Sequence, residues 1–181
     1  TLEIPLSNDT SSEFGTITSC NNQDICWVEG LLSTIYDVFL DQIVDGQIYT
    51  KGTGERDPSR EHWTRLHELN LAQNALLVFD RGYYSKELYE DLVSDGCHVL
   101  MRLNKGNHLT RLGSDDFSWT AASADGKPVL YRIVRVPLPE QSNEEAEYLV
   151  TNITDPSISP ALLYNLYFER WNIETKYREL K

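Results

Sequence analysis

The sequence predicts an α/β fold, a mixed β-sheet flanked by helices, and three stretches carry that prediction. Residues 75–79 form a short apolar run ending on Asp80, the pattern of a buried central strand that delivers a carboxylate at its carboxyl end. Open α/β sheets place their ligands at that end. Residues 86–93 read as a helix, as do the last fifteen residues of the chain. Between Leu103 and Pro160 the pattern changes to short strands joined by Gly- and Pro-bearing turns, notably residues 125–128. At 181 residues with 40% hydrophobic content, the chain is long enough to bury a sizeable core.

Taken in order, residues 1–6 read as the tail of a first strand, and residues 7–22, rich in Ser, Thr, Asn and Asp, as a loop. Residues 25–40 contain a mixed apolar strand run, and a second run follows at 42–49. Within it, Asp45 and Gly46 have the composition of a hairpin turn. Residues 51–59 form a loop with a cap signal, followed by a helix holding Trp63, Leu66, Leu69 and Leu71. After Asp80, Gly82 permits a sharp turn. Ser85 has the chemistry of an N-cap for a helix that ends near Gly96. Residues 97–103 then read as another strand, as do 117–120, 128–138 and 147–153. In the middle one, Val129, Tyr131, Ile133 and Val136 alternate with Leu130, Arg132 and Arg135 as in a half-exposed ribbon.

The carboxyl-terminal segment holds Tyr167, Arg170, Glu174 and Lys181 in the spacing Tyr-x2-Arg-x3-Glu-x6-Lys. At roughly 100° per residue on a helix, these four fall within about a 60° sector. One face therefore presents a carboxylate between two cations and a phenol, while Leu162, Leu163, Leu166, Phe168 and Ile173 are available to dock the helix elsewhere. A carboxylate flanked by cations suits a site that binds a divalent metal and a phosphodiester together. The same residues also have the spacing of intrahelical pairs, Arg170 with Glu174 and Glu174 with Arg178. An Asp after an apolar strand is, in turn, commonly a turn former or cap. Residue types alone leave both alternatives open.

A net charge of −12 and a pI near 4.7 weigh against a broad nucleic-acid surface. The acidic residues gather at Glu140, Glu144, Glu145 and Glu147 and at Asp115 and Asp116, outside the two motifs. The carboxyl-terminal segment instead carries Arg170, Lys176, Arg178 and Lys181. Cys20, Cys26 and Cys97, odd in number and without CxxC spacing, read as reduced thiols of a cytosolic protein. His62 and His67 lack the i, i+4 spacing of helical zinc ligands, and His98 and His108 are isolated, so no structural zinc site is expected. No run of about eighteen apolar residues occurs, so no membrane span is expected, and the first residues lack a signal-peptide pattern.

Asp80-Arg81-Gly82-Tyr83, followed across a variable stretch by Tyr167, Arg170, Glu174 and Lys181, resembles the bacterial insertion-sequence transposases of the IS-four type, with their DDE catalytic triad and YREK signature. The opening Thr1-Leu2-Glu3-Ile4-Pro5-Leu6 is similar to the stretch directly after that family's first catalytic aspartate, so the resemblance covers essentially the whole chain. It implies that the first aspartate lies just before Thr1, since Asp9, Asp24, Asp37, Asp41 and Asp45 all lack the family's Asp-Gly-Thr context. The family's carboxyl-terminal part would lie beyond Lys181, and the chain is expected to be a catalytic-core fragment.

The resemblance further implies a ribonuclease-H-like mixed sheet, with a β-rich insertion over residues 104–156 before the last catalytic helix. It implies a two-metal site for magnesium, replaceable by manganese, in which Asp80 and Glu174 join the first aspartate. Arg170 and Lys181 would grip phosphates beside the scissile bond, and Tyr167 would bond a phosphate oxygen or pack on a sugar. Arg81 and Tyr83 either orient the Asp80 loop or touch the DNA end. Trp119 stacks on an extruded base in one reading and packs in the core in the other. The implied partners are double-stranded DNA, as transposon ends and target, and a second copy in a synaptic homodimer, with no membrane, in a bacterial cytoplasm at the nucleoid. The implied reaction is hydrolytic nicking, then strand transfer by the freed 3′-OH in cut-and-paste transposition. Two alternatives accompany it. One is a catalytically incompetent remnant that binds DNA or inhibits intact transposase, and the other is a non-transposing nuclease of the same fold. Loss of most of the first strand would expose two sheet edges, so marginal stability is expected unless residues 1–6 fill the gap.

Overall fold

The computed structural model describes residues 1–21, 25–111, 114–139, 142 and 145–179, without the side chain of Glu179. The chain divides into two compact units, Thr1–Leu66 and His67–Lys181. Its class is mixed α/β.

The first unit is organised by one long strand. Strands β1 (Leu2–Ile4), β2 (Ile17–Thr18) and β4 (Gln42–Thr50) all pair antiparallel with β3 (Cys26–Asp37). The opening strand therefore pairs with β3, in the register Leu2 with Gly30 and Ile4 with Val28. Residues 7–22 are not a continuous loop. Ser7 caps helix α1 (Asn8–Phe14) through a reciprocal capping box with Thr10, and Gly15, at φ 80°, closes it.

The hairpin turn is also displaced from the expected dipeptide. It occupies residues 38–41, where Asp37 Oδ1 accepts the N–H groups of Phe39 and Leu40, both at 2.9 Å, and Asp41 takes φ 55°. A carboxylate that satisfies two turn amides outweighs the local Asp-Gly signal. Asp45 instead sits inside β4 opposite Ile35, and it is buried. Helix α2 (Arg56–Glu68) begins inside the stretch read as loop and stops before Leu69 and Leu71, which are exposed. It buries Ser59, His62, Trp63 and Leu66.

The second unit holds strands β5 (Leu76–Phe79), β6 (His98–Arg102), β7 (Asp116–Ala122), β8 (Pro128–Pro137) and β9 (Ala146–Thr151) in one five-stranded sheet. The order is β5-β6-β9-β8-β7, with β5 and β6 parallel and every other pair antiparallel. β5 is thus an edge strand, half-buried, rather than the central strand its apolar run predicted. Residues 104–156 supply β7, β8 and β9, which continue this same sheet. On the β7–β8 ribbon, Asp116 takes both ends of the Arg132 fork at 2.8 and 2.7 Å, and Asp115 faces Arg135.

Helices cover both faces of the sheet, and strand alternation shows how. Helix α3 (Lys86–Ser94) connects β5 to β6, with Ser85 Oγ accepting the Leu88 N–H at 3.1 Å and Gly96 at φ 86° just beyond the helix. Its Tyr89 stacks on Tyr131 of β8 at 4.7 Å. Helix α4 (Pro160–Phe168), capped by Ser159, packs Leu163 and Tyr167 against Leu100, Val134 and Leu149. Val134 and Tyr131 differ in parity along β8, so α3 and α4 lie on opposite faces. The carboxyl-terminal segment is not one α-helix. A 3-10 turn at Glu169–Trp171 separates α4 from α5 (Asn172–Glu179), and the junction residues keep right-handed helical angles, so the chain tightens there without a break.

Candidate active site

Asp80 follows β5 directly, and Leu76 and Val78 already pack on the α4 side of the sheet. The two-residue period of the strand therefore aims Asp80 at the same side. There its Oδ1 accepts two hydrogen bonds of 2.8 Å, from the Arg81 backbone N–H and from the hydroxyl of Tyr167 on α4. Oδ2 lies 4.0 Å from the guanidinium of Arg170, which stands in the 3-10 turn. That guanidinium also donates to Glu174 Oε1 at 3.2 Å, in the first turn of α5. Arg170 thus lies against both carboxylates. Its side chain is only 14% exposed, and its Nε–H is buried without a hydrogen-bond partner.

Opposed effects set the charge of Asp80. Burial pushes its carboxyl up, but the Arg81 amide, the Tyr167 hydroxyl and the charges of Arg170 and Arg102 hold it below the ordinary carboxylate range. Burial first, then Asp80, pushes the Tyr167 phenol up to about 12, so it remains a protonated donor.

Arg102 and Glu147 belong to this surrounding, and the sequence reading did not single Arg102 out. Arg102 ends β6 on the α4 side, in register with Leu149, and its Nη2 donates to Glu147 Oε1 at 2.9 Å. It also hydrogen-bonds Tyr167, which acts against the upward push of burial on that phenol. The available signal was the alternation of β6, in which Leu100 and Arg102 share a face.

The remaining candidates are placed as follows. Tyr83 closes the turn after Asp80 by its N–H to the Asp80 carbonyl at 3.1 Å, and its ring packs on Phe79 at 5.5 Å. Arg81 is exposed, and its carbonyl accepts from Asn104 at 3.4 Å. Trp119 is half-buried, stacked on Tyr131 at 4.9 Å and on Phe117 at 5.5 Å. Lys181 lies outside the described residues, as do Asp24, Glu140 and Glu144.

Two carboxylates are oxygen donors of the kind a hard divalent cation takes, and Asp80 is held ionised, so the donor chemistry fits. The guanidinium of Arg170 is the cation that faces both of them, and a metal would take its place there. Among the described residues, no group of three or more His, Cys, Asp or Glu side chains stands close enough to hold a metal ion. Among the described residues, no helix is long and apolar enough to cross a membrane.

The family model for the transposase DDE domain matches residues 14–181. No curated protein matches the chain.

Proposed function

The chain belongs to the transposase DDE domain family, and we propose that it is the catalytic domain of a bacterial insertion-sequence transposase of the IS-four type. The observation that carries this reading is the convergence of Asp80 and Glu174 on Arg170, with Tyr167 bonded to Asp80 from 87 residues away. The YREK spacing and the Asp-Arg-Gly-Tyr turn support the finer assignment. In this reading residues 1–181 are one catalytic core, with 104–156 as its β-rich segment.

Asp80 and Glu174 are the metal-holding carboxylates, and magnesium, or manganese in its place, is the ion that suits them. When bound, the metal supplies an activated water and stabilises the leaving 3′ oxygen. The chain's own residues do the rest. Tyr167 and the Arg81 amide pin Oδ1 of Asp80 and leave Oδ2 for ligation. Arg170 offsets part of the charge of the acidic pair until a phosphate arrives, then turns its fork to the phosphate oxygens. Lys181 adds a point charge on the same backbone, and the Arg81–Tyr83 turn borders the DNA end. The substrates are double-stranded transposon ends and target DNA, the working form is a synaptic homodimer, and the compartment is the bacterial cytoplasm at the nucleoid.

The test is metal-dependent nicking of supercoiled plasmid and of an end-labelled duplex. Nicking with magnesium or manganese that disappears in Asp80→Asn and Glu174→Gln supports the reading, and nicking that survives both changes overturns the assignment. Joining of the freed 3′ end to a second duplex separates a transposase from a nuclease of the same fold. A second reading, a catalytically silent chain that binds DNA or inhibits an intact transposase, is favoured by the Arg170 guanidinium lying against both carboxylates. It predicts duplex binding without nicking in either metal.

A further inference from the structure

The polar core of the first unit holds an arrangement that phosphodiester chemistry does not use. Ser33 stands on β3, Asp45 on β4 and His62 on α2. The strand register sets Ser33 opposite Gln47 and Ile35 opposite Asp45, so Ser33 and Asp45 are diagonal neighbours on one face of the hairpin. His62 bridges them. Its Nδ1 lies 2.5 Å from Asp45 Oδ2, and its Nε2 lies 2.9 Å from Ser33 Oγ. Arg65 Nε donates to the other oxygen of Asp45 at 3.0 Å.

The direction of each bond follows from the groups themselves. Burial pushes the Asp45 carboxyl up, but His62 and Arg65 hold it below its ordinary range, so it is ionised and can only accept. The His62 nitrogen that faces it therefore carries the proton. In the neutral imidazole Nε2 is then the acceptor, and the Ser33 hydroxyl donates to it. Imidazole and carboxylate are buried, at 2% and 8% exposure, whereas Ser33 keeps part of its surface. Nucleophile, base and orienting acid thus stand in hydrogen-bonded order.

We propose that Ser33 is an activated nucleophile, with His62 as its general base and Asp45 as a positioning residue, open to small phosphonyl and acyl electrophiles. With a fluorophosphonate, Ser33 Oγ bonds to phosphorus, the P–F bond breaks and fluoride leaves. The hydroxyl proton passes to His62 Nε2, and Asp45 stabilises the imidazolium. This inference is independent of the transposase reading.

The test treats the full chain with an alkyl fluorophosphonate and follows the added mass at each serine by peptide mapping. Positioned general-base catalysis is worth about 10²–10⁴-fold. Ser33 is therefore expected to react at least about 100-fold faster than an exposed serine such as Ser12, and to lose that lead in urea. His62→Gln, with circular dichroism checking its fold, is expected to slow Ser33 by about 100-fold. Native reactivity equal to that in urea, or an undiminished rate in folded His62→Gln, overturns the proposal. If that variant does not fold, the comparison of native and urea-treated chain decides by itself.

Discussion

The Tyr167 hydroxyl donates to Oδ1 of Asp80 at 2.8 Å, joining a buried phenol on α4 to a carboxylate at the end of β5. Tyr167→Phe keeps the ring that packs on Leu100 and Leu149 and removes the hydroxyl, with this bond and the contact to Arg102. The acceptor is charged, but Asp80 is 40% exposed and regains water, so the expected loss is about 1 kcal/mol. Urea unfolding reads it as a lower midpoint with an unchanged slope. A midpoint equal to that of the parent would mean the bond adds nothing to stability.

The same carboxylate ties stability to pH. Its folded-state pKa lies below the unfolded value of about 3.9, so in between the unfolded chain binds more protons and stability rises with pH. The contribution is complete above about pH 5 and is lost as pH falls through the lowered folded value. Asp45, also depressed, acts in the same direction. Asp80→Asn is therefore expected to flatten the acid limb of thermal stability in part, with Asp45 and the likewise depressed carboxylates of Glu29, Asp125 and Asp155 sustaining the rest. Parallel limbs in parent and variant would remove Asp80 from the account.

Arg170 touches both acidic residues, so Arg170→Ala should affect metal and DNA in opposite directions. A unit charge at about 4 Å and an effective dielectric of about 20 is worth up to about 4 kcal/mol, and partial exposure reduces that. Manganese binding to the DNA-free chain is expected to tighten by about tenfold, while duplex binding weakens. Electron paramagnetic resonance titration of manganese gives the first quantity and a gel-shift the second. Tightening of neither, or weakening of both, would mean that the guanidinium does not compete with a metal.

Much of this geometry was legible because it is local. Ser85 with Gly96 and the apolar run before Asp80 each act within a few residues, and each set its element's position. The four-residue spacing of Arg170 and Glu174 likewise gave their contact. What was not legible depends on partners far away in sequence. The alternation of β8 reads as a half-exposed ribbon, but α3 and α4 pack on its two faces and bury Tyr131 and Ile133 on one side and Arg132 and Val134 on the other. The apolar content of β5 indicates burial but not which strands flank it, so an edge strand read as a central one. Asp45 read as a turn because Asp-Gly is a strong local signal, while the competing cap at Asp37 and its partners His62 and Arg65 on α2 lie outside that window. The alternation of β6 puts Arg102 on one face with Leu100, but its role rests on Glu147 and Tyr167, both brought in by tertiary folding.

The Arg102–Glu147 pair provides the last prediction. Both side chains are 12% exposed and their contact is 2.9 Å, so removal of either one leaves a charge in a poorly hydrated place. Each of Arg102→Met and Glu147→Leu is expected to cost about 3 kcal/mol, and the double variant less than the sum, because an apolar pair carries no desolvation penalty. Arg102 also acts on Asp80, helping to hold its carboxyl low. Recovery of stability in the double variant should therefore not restore the acid limb that Asp80 contributes. A full return of both would make the ion pair a packing device, whereas recovery of stability alone identifies Arg102 as a residue that positions and charges the site.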